Sequence, residues 1–150
     1  YLASPGDFFR VDEPLAGIEV FDPTTFSSRL LVSELALGGS VAQVAVDGDC
    51  GAAIVADPSS KTRTALVTFD ARTGKALSTY ANPVFGPSQG YHYWALRWLG
   101  DTLYLGDRER AEKGYPVHRF KRQGTSGCAL VREMPSYVVS QMPAAFAPLK

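Results

Sequence analysis

A segment with the same build recurs about every fifty residues. Gly17–Thr25, Ala65–Lys75 and Pro116–Gly124 are each an alternating apolar strand ending in a polar turn, and their phenylalanines, Phe21, Phe69 and Phe120, stand 48 and 51 residues apart. Each is followed by a further apolar run: Leu30-Leu31-Val32, Ala76–Tyr80 and Ala129-Leu130-Val131. Each is preceded by another strand, at Tyr1-Leu2-Ala3, Ala53–Ala56 and Thr102–Leu105. In the two complete copies a first strand lies upstream again, at Val41–Val46 and Tyr93–Leu99, and ends at Asp47-Gly48-Asp49 or Gly100-Asp101. Gly and Asp tolerate the positive φ that a two-residue hairpin turn needs. The unit is therefore a four-stranded antiparallel meander. A repeated meander cannot bury both faces alone, so its neighbours must stack on it.

These spacings predict an all-β chain: a β-propeller fragment of about three four-stranded antiparallel blades. A partial blade spans 1–38, full blades span 39–85 and 86–135, and a further blade starts over 136–150. Propellers close with four or more blades, so the expected first partner is the rest of the ring, from the same protein or another chain. Two other folds compete. Leu30, Leu31, Glu34, Leu35 and Leu37 have partial helical spacing across Ser28–Leu37. A two-layer β-sandwich also suits a chain of 150 residues.

Fourteen glycines and ten prolines are spread along the chain, which suits short strands and tight turns. Fifteen basic and fifteen acidic side chains balance, so no nucleic-acid partner is expected. Arg119, Lys121, Arg122 and Arg132 make too small a basic patch to alter that. No stretch approaches the ~18 consecutive apolar residues of a membrane span. Cys50 and Cys128 are candidates for a disulfide in an oxidising compartment; two unrelated thiols, or partners elsewhere, are the other options.

Ala45-Val46-Asp47-Gly48, Ala53–Ala56 and Leu66–Lys75 together resemble the blade consensus of YVTN-type (lactonase-like) bacterial β-propellers, and Gly17–Thr25 resembles the same third strand. The third copy departs from it, with Phe120-Lys121-Arg122 in place of the Phe-Asp pair. The resemblance implies a secreted, periplasmic or cell-surface propeller. In that fold the first strand of each blade lines a channel and begins near one rim. Tyr91, His92, Tyr93 and Arg97 are then the candidate ligand-binding residues, for a glycan, another flat ligand or a protein. Trp94, Leu96 and Trp98, on alternate positions, are expected to fill the space between blades.

The expected function is non-catalytic recognition or scaffolding, without cofactor, metal or catalytic residues in this chain. The alternative is a lactonase-like hydrolase whose active site lies mainly in other blades, since Val41–Val46 and Tyr93–Leu99 carry no carboxylate. Gly86-Pro87-Ser88-Gln89-Gly90 matches the Gly-x-Ser-x-Gly nucleophile elbow, with Asp101 or Asp107 and then His118 downstream. It lacks the strand-to-helix context, however, and reads as a loop. Asp47, Asp49 and Asp57 read as turn aspartates, since Cys50 and apolar residues interrupt any calcium-loop spacing. Arg108–Lys113 reads as a solvated loop between the second and third strands.

Overall fold

A computed structural model describes residues 1–4, 16–60, 62–124 and 127–147. Residues 5–15 and 148–150, inside the first and last expected blade segments, lie outside the described residues. Among the described residues the chain is all-β, with one helical turn. The elements are β1 (Leu2–Ser4), β2 (Gly17–Asp22), β3 (Ser27–Ser33), α1 (Glu34–Leu37), β4 (Ser40–Asp47) and β5 (Cys50–Ala56), followed by β6 (Thr64–Asp70), β7 (Tyr93–Leu99), β8 (Thr102–Asp107), β9 (Tyr115–Arg122) and β10 (Leu130–Val139). No helix among the described residues is long and apolar enough to cross a membrane.

The strands form three antiparallel sheets, ordered β1-β2-β3, β4-β5-β6 and β7-β8-β9-β10. Sequence neighbours pair throughout, as a meander requires. Asp47 pairs with Cys50 across Gly48-Asp49, and Leu99 pairs with Thr102 across Gly100-Asp101. Gly48 (φ 57°) and Gly100 (φ 61°) supply the left-handed backbone of these turns.

The third sheet has the expected four strands, but the middle sheet does not. Ala76–Tyr80 is not a strand. It meets β6 at one bridge, Phe69 to Ala76, and Phe85 makes another to Leu66. Between these points the segment turns away. Ser78 Oγ accepts the Thr68 N–H at 2.7 Å, and the Tyr80 N–H donates to Leu37 O at 2.8 Å. Pro83 has no N–H with which to resume a ladder. The edge of β6 is thus covered in two pieces.

The middle sheet is buried on both faces. Its strand β5 is buried along its whole length. Ala53 and Val55 join Val67 and Phe69 of β6 in a core with Ile18, Val32, Leu37 and Val41. Ala52, Ile54 and Leu66 face the other way, onto Tyr93, Leu103, Leu105 and Phe120 of the third sheet. Side-chain alternation along a strand makes this two-sided burial possible. Each fully buried Leu, Ile or Phe contributes about 1.5–3 kcal/mol. Among the described residues there are three packed sheets, with a core on each side of the middle one, rather than the two of a sandwich.

Helical spacing across Ser28–Leu37 yields only α1. Ser33 caps it, accepting from Ala36 N at 3.1 Å, and Gly38 (φ 75°) ends it. β3 takes the preceding residues. Residues 136–139 finish β10 rather than opening a further sheet. Of the residues beyond them, Pro143 and Phe146 lie on the outer face of the third sheet. Phe146 packs on Tyr104 with ring centroids 6.1 Å apart, and the outer depression near it is lined by Leu99, Val117, Tyr137 and Val139.

Cys50 and Cys128 form a disulfide, which ties the first turn of the middle sheet to the segment entering β10. Arg122 reinforces the same tie through Asp49, and the Gly127 N–H donates to Asp49 Oδ2 at 3.2 Å.

Candidate functional site

The polar residues that the fold gathers lie at one end of the interface between the second and third sheets. Alternation puts Leu103, Leu105 and Asp107 of β8 on the inward face, with His118 and Phe120 of β9 beside them. Toward the sheet end this row changes from apolar to ionisable. Asp107 is 7% exposed and His118 6% exposed. Phe85, from the segment covering β6, packs against Tyr93, His118 and Phe120 with centroid distances of 5.4, 4.7 and 5.4 Å.

His118 Nε2 lies 3.2 Å from Asp107 Oδ2, and His118 Nδ1 lies 2.8 Å from Ser136 Oγ. Arg132 Nη2 is 3.2 Å from the same Nδ1. A guanidinium can only donate, so Nδ1 accepts, its lone pair shared between Arg132 and Ser136, and the Nε2–H donates a hydrogen bond to Asp107. The pairing of β10 with β9 shifts register between Glu133 and Tyr137, and Ser136 falls within that bulge. Bulges of this kind re-aim side chains. Arg132 is also held 4.4 Å over the Phe85 ring.

A second group adjoins Asp107. The Arg108 N–H donates to His92 O at 2.9 Å, which fixes the entry to β7 against the exit from β8. Asp107 Oδ1 accepts the Glu109 N–H at 2.8 Å. His92 Nδ1 stands 3.2 Å from Glu109 Oε2, but without hydrogen-bond angles. Ligand atoms of His92, Asp107 and Glu109 all lie within 4.8 Å of one another. Asp107 and Glu109, but not His92, border a depression of about 220 Å³ lined also by Arg110, Ala111 and Pro116. Burial pushes the Tyr93 hydroxyl well above its ordinary pKa, and the Asp107 and Glu109 charges push it the same way.

The four expected ligand-binding residues do not share one surface. Tyr91 pairs with Trp94, ring centroids 5.9 Å apart. His92 joins the ionisable group. Tyr93 is 5% exposed, stacked on Phe85 in the core, and has no face left for a ligand. Arg97 lies on the opposite face of the sheet, where its Nη1 donates to Phe146 O at 2.8 Å. Trp94 is not core either. A register shift between Tyr93 and Ala95 leaves Leu96 and Trp98 facing the core and turns Trp94 outward, 37% exposed, with the Arg108 guanidinium 5.1 Å from its ring.

Ser88 is a buried pin in its loop. Its hydroxyl is engaged with Thr64 and the Gly90 carbonyl. Asp47 and Asp49 pair with Arg122, and Asp57 accepts from Ser59 and Ser60. Lys121 pairs with Asp101 and Arg119 with Glu133, which neutralises much of the basic patch.

Sequence reasoning passed over Glu109 and Ser136. Glu109 sits in a charged loop that resembles any solvated connection. The only local signal was Asp107 continuing the inward row of Leu103 and Leu105. Compared with models of known protein families and with curated proteins, the chain matches none.

Proposed function

We propose that the three sheets are blades of a β-propeller, and that the protein is a non-catalytic recognition scaffold of extracellular, periplasmic or cell-surface location. Two-sided burial of the middle sheet supports the blade reading, as does apolar surface on the outermost sheets, at Phe21 of the first and at Val138 and Val139 of the third. The disulfide supports the location. One observation carries the recognition role: Trp94, exposed, and Tyr91, half-buried, form an aromatic pair at the start of β7, with the Arg108 guanidinium over the Trp94 ring. Such a platform offers stacking to a pyranose ring and hydrogen bonding at its margin.

The test is titration of the full chain with a panel of neutral hexasaccharides, chitohexaose among them, followed by tryptophan fluorescence. One or more should quench emission saturably, and Trp94→Ala should abolish the response. Failure of every member, or a response that survives Trp94→Ala, would refute the glycan reading.

A hydrolytic reading has its own observation, the Asp107–His118–Ser136 chain. Its Ser136 hydroxyl faces an accepting imidazole nitrogen, which is the arrangement that activates a serine. It predicts that a fluorophosphonate labels Ser136 and that His118→Gln blocks labelling. An unlabelled Ser136 in folded protein would eliminate it.

A further inference from the structure

We infer that His92, Asp107 and Glu109 form a binding site for a divalent transition-metal ion of the zinc class. The inference does not depend on the sheets being propeller blades. Two carboxylates and one imidazole nitrogen suit such an ion, because mixed nitrogen and oxygen donors select it over calcium or magnesium.

The distances fit. Ligand atoms about 2.1 Å from a tetrahedral ion stand roughly 3.4 Å apart. His92 Nδ1 and Glu109 Oε2 are 3.2 Å apart, and all three donor atoms fall within 4.8 Å, so small rotations of the less constrained His92 and Glu109 side chains close them on Asp107. The His92 nitrogen is screened from solvent yet makes no hydrogen bond, and the neighbouring carboxylate is set at the wrong angle to receive one. A cation between them satisfies both.

The frame is also suited to the task. Asp107 is fixed from two sides, by the Glu109 N–H and by His118 Nε2. Outer hydrogen bonds of this kind orient ligands and raise affinity. The His92 backbone is bonded to Arg108, between the two acidic ligands. Nearby positive charge is partly directed elsewhere. Arg108 lies at the Trp94 ring and Met142, and Arg132 lies on Phe85. Arg110 lines the depression and is the one guanidinium of these three that borders it. The depression beside Asp107 and Glu109 leaves room for water on their side of the ion.

The experiment is competition of the full chain, free of any affinity tag, with a chromogenic chelator for zinc ion. One ion per chain should bind. His92→Ala and Glu109→Ala, both at partly exposed positions, should each weaken binding about tenfold or more. Glu112→Gln, an exposed carboxylate in the same loop, should leave it unchanged. Cobalt ion should give visible d–d bands that disappear in His92→Ala. Absence of stoichiometric zinc binding would overturn the inference. Binding indifferent to His92, or weakened equally by Glu112→Gln, would do so as well.

Discussion

Removing the disulfide should be the most damaging conservative change available to this chain. Cys50 and Cys128 are 78 residues apart, and the cross-link ties the middle sheet to the third. In the chain-entropy account, closing a loop of that length removes about 4.5 kcal/mol of freedom from the unfolded chain. Both half-cystines are buried, so Cys50→Ala with Cys128→Ala adds a small packing loss and no exposed thiol. A domain of this size loses ~2–4 °C per kcal/mol, so melting should fall by about 9–18 °C. Circular dichroism melts and urea titrations of the wild type, the double variant and the dithiothreitol-reduced wild type measure it. Reduced protein and double variant should agree, because both act on the unfolded chain. Hydrogen exchange should quicken first around Gly51 and Leu130, where the tie is lost. A loss below about 1 kcal/mol would refute the reasoning, since other contacts would then restrict the unfolded chain as tightly as the cross-link does.

Gly51→Ala should destabilise by about 1–3 kcal/mol, since the added methyl would collide with the Phe69 ring; Phe69→Leu in the same chain should recover part of the loss in urea titrations. Glu34→Ala should lower stability by about 1–3 kcal/mol, because Glu34 is fully buried and its Oε1 accepts the Val41 N–H at 2.6 Å; Glu34→Gln, which keeps an acceptor, should lose less. Asp57 is held below its ordinary pKa, first by the Ser59 hydroxyl and then by the Ser59 and Ser60 amides, so its stabilisation is present above about pH 4 and lost as pH falls. Melting temperatures of wild type and Asp57→Asn should therefore differ most near neutral pH and converge in acid; a constant gap would remove Asp57 as the cause.

Strand positions and pairing order were legible in the residues because they rest on local rules. Alternation in Leu103–Leu105 and Val117–Phe120, and the turns at Gly48-Asp49 and Gly100-Asp101, need nothing beyond neighbouring residues to operate. The mixed-charge loop after Asp107 was legible for the same reason. The failures share a cause too. Ala76–Tyr80 has a strand's composition, yet Ser78 and Tyr80 find partners on Thr68 and Leu37, and those contacts come from other elements. Trp94 has a core residue's spacing, yet one bulge reverses its face, because a shift of one residue exchanges the two sides of a strand.

The candidate site was less legible than the fold. Asp101 or Asp107, then His118, stood in hydrolase order, but behind Ser88, which lies pinned in a separate loop. What joins His92 to Asp107 and Glu109 is the backbone bond from Arg108 to His92, and what brings Ser136 to His118 is the irregular pairing of β10. The sequence alone determined that short antiparallel strands would alternate and turn where they do, since backbone sterics and side-chain alternation act within a few residues. The tertiary structure alone decided which ends of those strands meet, which cysteines join and which aromatic faces water. Those outcomes depend on register and on how one sheet buries another.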